Sequence, residues 1–536
     1  MRSNAVPGTY PERGRPRRWR RGGIGLAIGV IAALLATGCS ASVASSNGAP
    51  SGTQNQTITV AVATLAPQTP DPDLASGNDY PIRYDVGEGL VRPDTSGVFV
   101  PALATSWDVS PSKLTWTFHL RSGVEMQDGS AFTAQDVATA IDRITGAPQW
   151  SAYAGFEANL AAVQVVGPLT IKISTKAPDG ALPQEVPPPV ATAYYKRVGE
   201  QSFEQHPIAA GPFKFVSQVL NSSMTFDVFK GFWDKSRLPN FGQLILRVIP
   251  EESTRLAALQ SGQIDLAPFT PQSISQLKSS SNVKVVTSDS VNQVGLFFPD
   301  NWSGDKTPLR DQRVREALLL AIDRQAIAKS LYFGYAQVPG SWLFPTAPGY
   351  DSSVAPYPYD PAKAKQLLAA AGASNLTFTF HTYNASNGVP QVPSLVQAII
   401  GYWKTIGVNV TLDELDPATY IPSVLAHKYG GAEMLGAPAS LMNDPYELQV
   451  FYASSGAYSS VKDPALDALL DRVRASTNPA DRASNAKQLA AYLYNQLYGF
   501  PVLNTDAIFG YGSKIAKFTP LAGDPFTSLW TGIVAG

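Results

Sequence analysis

The chain has 536 residues, of which 44% are hydrophobic, 10% aromatic and only 15% charged. Such a composition supplies a large apolar core and excludes disorder over most of the length. The net charge of −1 conceals a division: residues 1–38 carry seven arginines against Glu12 alone, which leaves 34 basic and 41 acidic groups beyond them. A mildly acidic body lacks the basic footprint of a general nucleic-acid binder, so no nucleic-acid partner is expected.

Arg17, Arg18, Arg20 and Arg21 precede an uncharged apolar run of thirteen residues, 24–36. A membrane span needs ~20 such residues, whereas the core of a signal peptide needs ~7–15. The run ends at Ala36-Thr37-Gly38-Cys39, and Cys39 is the only cysteine. A sulfur after small residues at this place resembles the lipobox of bacterial lipoproteins, with Ala36 where Leu is usual and Leu35 one step earlier. The resemblance implies a signal peptide over 1–38, removed to leave a diacylated Cys39 as lipid anchor. Two acyl chains, at ~0.8 kcal/mol per buried methylene, hold a protein durably to a membrane. The body would then have no thiol, which excludes disulfides and cysteine metal sites. The arginine pair suggests twin-arginine export, but the residues around it do not complete that signal, and the export route stays open. Residues 40–56 hold neither charge nor aromatic ring and are rich in Ser, Gly and Asn; they read as a flexible tether, 39–56 with the cysteine.

Beyond the tether, Thr57–Val62 alternates at period two and predicts a strand. Residues 114–120 predict another, with a turn at Ser122-Gly123. A helix is expected from Thr133 to Ile141, with Thr133 as N-cap and Val137, Ala140 and Ile141 on one face. Further on come a strand at 224–229, a helix at 252–261 stopped by Gly262, and a strand from Ile264. The second half predicts longer helices: 311–331 with Val314, Leu318 and Ile322 buried, and one opened by Asp360-Pro361 and closed by Gly372. Helices are also expected at 391–406, 464–475 and 479–497. The pattern is α/β in at least two lobes.

Catalytic signatures are missing from this frame. His119, His206, His381 and His427 lie far apart without helical ligand spacing, and His119, in a strand pattern, reads as a structural residue. The sequence has no G-x-S-x-G elbow, H-E-x-x-H or phosphate loop. A binder is expected rather than an enzyme, with no cofactor and no metal.

Residues 84–143 contain Glu88-Gly89-Leu90, Pro101-Ala102-Leu103-Ala104, Ser106-Trp107, Phe118-His119-Leu120-Arg121, Asp128-Gly129, Thr133-Ala134 and Asp136-Val137. Later come Gly211-Pro212-Phe213, Phe232-Trp233, residues 258–265 (ALQSGQID), Val314-Arg315, Ala317-Leu318, Ala321-Ile322-Asp323, Leu367-Leu368 and Ala371-Gly372. In order and spacing these resemble the extracytoplasmic solute-binding proteins of bacterial ABC importers, in the family of dipeptide-, oligopeptide- and nickel-binding proteins (family 5). Most of the matched residues have structural readings: Trp107 and Trp116 pack under a subdomain, Gly123, Gly129 and Gly262 take positive φ, and Arg121 pairs with Asp136.

The resemblance implies a two-lobed periplasmic-binding-protein (flytrap) fold. Lobe one would comprise 57–288 plus 499–536, with 87–207 as its extra subdomain, and lobe two 289–498. It implies a monomeric receptor, anchored outside the cytoplasm on the cell membrane, that delivers a peptide or peptide-like solute to ABC permease subunits. A sugar, a siderophore-like solute or another amphiphile is the alternative ligand, and a secreted hydrolase on a similar scaffold the remaining alternative. Peptide-binding relatives carry a W-x-x-D element before an Asp-Pro pair, whose Asp meets the peptide ammonium. Aligned on Asp444-Pro445, this chain has Pro438 and Leu441 in those places, and an apolar residue cannot neutralise a buried ammonium. Candidate ligand contacts are Asn78, Asp79 and Tyr80 on one side and Asn443, Asp444 and Tyr446 on the other, residues that pack while donating and accepting hydrogen bonds.

Overall fold

The computed structural model describes residues 55–65, 69–74, 81–145, 153–304, 306–383, 391–438, 444–522 and 530–536. All of them lie in one unit, residues 52–536.

An 11-stranded mixed sheet runs through this unit. Its centre is an antiparallel pair of long strands, Lys284–Phe297 and Gly499–Tyr511, in register from Lys284 opposite Tyr511 to Phe297 opposite Gly499. The pair has different neighbours at its two ends. At one end, Leu266–Phe269 lies beside residues 508–511, followed outward by Thr57–Val62, Gln243–Val248, Ser223–Val228 and Phe213–Val219. At the other end, Ala432–Pro438 lies beside residues 292–297, followed by Thr377–Tyr383 and Asn409–Leu415. Between the ends the register shifts, from Ser288 to Asn292, and Ser290 takes a left-handed φ of 53°.

The apolar cores divide at the same place. The largest cluster has no buried member before Val294 or after Leu503. Two others draw on 58–86, 213–291 and 507–535. A fourth belongs to a subdomain built on the four-stranded sheet of Ala104–Val109, Thr115–Leu120, Leu160–Gly167 and Thr170–Thr175. In it Trp107 and Trp116 both pack on Phe118.

Local sequence accounts for most elements. The strand Thr57–Val62 and the helix Pro464–Ala475 have their expected bounds. Asp360, Asp463 and Asn478 cap their helices by accepting from Lys363, Ala465 and Ala480 N–H groups at 2.8, 2.9 and 2.9 Å, satisfying donors that a helix start leaves free. Gly123, Gly129 and Gly262 have φ of 72°, 83° and 73°.

Two expectations are corrected. The helix over 311–331 is two helices, Gln312–Leu320 and Arg324–Ser330, because Asp323 leaves the helical conformation to accept from the Ala326 N–H at 2.8 Å. Arg121 and Asp136 do not pair. Arg121 donates to the Ala102 carbonyl at 3.0 Å and lies 4.0 Å over Trp233, while Asp136 accepts from the Thr133 and Thr192 N–H groups at 2.7 and 2.9 Å. Backbone donors at two helix starts claim the carboxylate.

Trp403 is fully buried, and its indole N–H donates to the Leu318 carbonyl at 2.8 Å. Trp403→Ala is expected to cost ~3–5 kcal/mol of stability, read by urea denaturation; a loss under ~1 kcal/mol would contradict this packing.

Candidate functional site

Where the apolar cores part, the long strands turn polar. Ser288, Ser290, Asn292 and Gln293 from one strand and Asn504 and Thr505 from the other are buried, each between 1% and 7% exposed. Unpaired polar groups at such burial are costly, so their partners define the seam. Gln293 donates to the Asn504 side-chain oxygen at 3.1 Å and to the Ser341 carbonyl at 3.2 Å. The Ser290 N–H donates to the Asp506 carboxylate at 2.9 Å, and its hydroxyl meets the Gln337 side-chain oxygen at 3.2 Å. Burial pushes the Asp506 carboxyl up to about 6, against the Ser290 hydrogen bond and with a small addition from Asp289. Among the described residues the Thr505 hydroxyl has no hydrogen-bond partner. Beside the seam, Trp342 packs on Phe297 and Tyr452, with ring centroids 5.2 and 5.3 Å apart. The result is a set of amide and hydroxyl groups, backed by aromatic rings, that can match donors and acceptors alike.

A second polar junction joins the subdomain to the helices Pro464–Ala475 and Pro479–Gln496. Arg474 donates to Asp179 at 2.9 and 3.0 Å and to the Tyr446 hydroxyl at 3.0 Å. Arg482 forms a close ion pair with Asp444, the two side chains being 8% and 6% exposed. Asp444 also accepts from the Tyr446 N–H at 2.9 Å, capping the short helix Pro445–Leu448. The structure thus brings Asp444 and Tyr446 to one junction, each already engaged by an arginine. Asn78, Asp79, Tyr80, Asn443, Leu441 and Cys39 lie outside the described residues.

His119 and His381 each sit 2.8 Å from a carboxylate, of Asp108 and Asp413. Among the described residues no group of three His, Cys, Asp or Glu could hold a metal, and no helix is long and apolar enough to cross a membrane.

Residues 98–459 match the family of bacterial extracellular solute-binding proteins, family 5, in its middle region. The chain belongs to this family. It is a solute-binding receptor of an ABC import system and not an enzyme, and it works outside the cytoplasm. It is 27% identical to heme-binding protein A of Haemophilus influenzae, over 80% of this chain and 83% of that protein. It is 31% identical to the glutathione-binding protein GsiB of Salmonella typhimurium, over 59% of this chain and 62% of that protein. Among solved structures, CtaP of Listeria monocytogenes superposes with a TM-score of 0.78 at 22% identity, covering 90% of this chain and 99% of that one. DppA of Helicobacter pylori in complex with the peptide STSA gives 0.73 at 22%, covering 90% and 98%. These likenesses establish the two-lobed family fold.

The receptor's polar seam escaped the sequence reading, although residues 284–297 (KVVTSDSVNQVGLF) carry a signal for it: polar residues interrupt an otherwise apolar strand at its middle. The Asp179–Arg474 contact left no such signal, since the two residues are 295 positions apart. Because Asp444 and Arg482 are buried together, Asp444→Ala should strand the guanidinium and cost ~3–5 kcal/mol. Chemical denaturation of the variant measures it, and unchanged stability would mean the pair is not buried as described.

Proposed function

We propose that the receptor captures a peptide or peptide-like solute between two lobes, as a lipoprotein anchored through Cys39, and hands it to ABC permease subunits. One lobe would comprise the strands on the Thr57–Val62 side together with the subdomain, the other the strands on the Thr377–Tyr383 side. Their hinge would be the kink at residues 288–292 and 505–507, with the solute held over the seam. The observation that carries this reading is the seam itself: six buried amide and hydroxyl residues where the apolar cores separate. Backbone amides of a peptide offer alternating donors and acceptors, which such side chains match. Relatives named for glutathione and a structural neighbour holding a peptide add support. A relative named for heme keeps a non-peptide amphiphile as the second reading.

Calorimetry with di-, tri- and tetrapeptides, reduced glutathione and heme tests the solute class. Binding of a peptide with none of heme is expected; the reverse would replace the first reading by the second. The amino end is a separate matter. Leu441 aligns where relatives carry the ammonium partner, and Asp444 is committed to Arg482. Acetylating a bound peptide's N-terminus should therefore cost under ~1.4 kcal/mol, less than tenfold in affinity. A hundredfold loss would restore an ordinary ammonium anchor.

The anchor has its own test. Cys39→Ser should leave the fold unchanged by circular dichroism and move the protein from the detergent phase to the aqueous phase. Detergent partitioning equal to that of the wild type would sink the lipid anchor.

A further inference from the structure

The junction between the subdomain and the two C-terminal helices is built for close approach. The Gly180 N–H donates to the Arg474 carbonyl at 2.7 Å, next to the Asp179–Arg474 ion pair at 2.9 Å. A Cβ on Gly180 would lie 2.1 Å from the Ser476 carbonyl oxygen, so only glycine fits there. The Asp179 side chain is fully buried and also accepts from the Asn159 side chain at 3.0 Å and the Ala181 N–H at 3.1 Å.

The charges at this junction do not balance. Asp179 and Glu185 come from the subdomain side, and Asp444, Glu447, Arg474 and Arg482 from the other. Arg474 is paired with Asp179 and Arg482 with Asp444. Glu185 and Glu447 are each half-buried and among the described residues have no ion-pair partner, while one carboxyl oxygen of Glu185 and one of Asp444 are buried without any hydrogen bond. Asp471 faces the neighbouring Tyr446. Lys113, Arg472 and Asp481 line a separate crevice alongside, which they share with Ser476. Next to Glu185, Arg83 donates to the Gln184 carbonyl at 3.4 Å and Arg92 lies on the strand packed against the Leu182–Glu185 helix, and among the described residues none of these cations is ion-paired with either glutamate.

Building on the two-lobe reading, we propose that this junction is a proton-dependent latch: closing the lobes seats Gly180 and Asp179 on the end of the helix Pro464–Ala475, and Glu185 and Glu447 take up protons as they are buried. Burial is the main cause that pushes Glu447 up to about 8, with Asp444 and Asp179 adding to it and Arg482 and Arg474 opposing. Glu185 is raised by burial first, then by Asp179 and Glu447, with Arg474 opposing and Asp444 adding a little. When the lobes part, water returns and both carboxyls fall back toward the ordinary ~4.3. The sign follows. The closed form holds protons that the open form releases, so closure is strongest at low pH and weakens as pH rises from ~5 through about 8. Each glutamate shifts the open-to-closed ratio by up to ~10-fold per pH unit, and two by up to ~100-fold.

Small-angle scattering of the full chain in detergent, without added solute, tests the latch. The wild type should have a larger radius of gyration at pH 8.5 than at pH 6. Glu185→Gln with Glu447→Gln should stay compact at both, since the neutral amides need no proton. Gly180→Ala should be open at both pH values through steric conflict alone, which checks the seat without touching a charge. Circular dichroism confirms that each variant is folded, and the wild-type comparison stands whether or not a variant folds. Equal wild-type dimensions at the two pH values overturn the proposal, even if reduced glutathione compacts the protein and so upholds the receptor reading. Dimensions that grow with pH support the latch even if glutathione has no effect.

Discussion

The antiparallel pairing of residues 284–297 with 499–511 is the constraint on which the rest of this structure depends. These two strands lie 202 to 227 positions apart at their paired ends, yet they hold one sheet together across separate apolar cores. Between the two flanked stretches of the pair only residues 288–291 and 506–507 lack an outer strand neighbour, the short strand Ala336–Gln337 lying beside Thr505 and Asn504. A strand pair with few neighbours and a register shift is where a sheet bends most readily. The left-handed Ser290 and its hydrogen bond to Asp506 set the geometry of that bend.

The polar character of the seam follows from the same arrangement. Val291 and Ala507 of this stretch join one apolar core, while the amides and hydroxyls beside them find partners in one another. Gln293, Asn504 and Ser341 form such a set. On the proposed reading, a ligand over the seam would meet groups already held in place, which reduces the ordering cost of binding. The family supplies the two-lobed frame, and these side chains give this receptor its own surface within it.

The junction around Asp179 and Arg474 shows how a tertiary contact can reassign residues that look functional. Asp444 and Tyr446 stand out in the sequence as candidate ligand contacts around an Asp-Pro pair. In the fold, Arg482 and Arg474 reach them from neighbouring helices, so one oxygen of Asp444 and the Tyr446 hydroxyl are engaged within the protein. Glu185 and Glu447, unremarked in the sequence, are left as the junction's unpaired carboxyls. Which carboxylate is satisfied is a property of distances that no local pattern encodes.

The sequence alone determined the elements whose cause is local. Apolar periodicity and a capping Asp or Asn specify helices such as Pro361–Ala370 and Pro464–Ala475 within a residue or two, because the donors they satisfy lie two or three positions away. The ordered motifs over residues 84–372 identified the family and with it the fold. Even locally, Asp323 caps a second helix where the apolar stripe continues through it, so periodicity and capping point to different boundaries. Only the tertiary structure decided which strands pair across the kink, which polar residues share the seam and which arginine holds Asp179. These depend on partners 47 to 295 positions away, and a sequence states the chemistry of each residue without stating which distant residue will shield it from water.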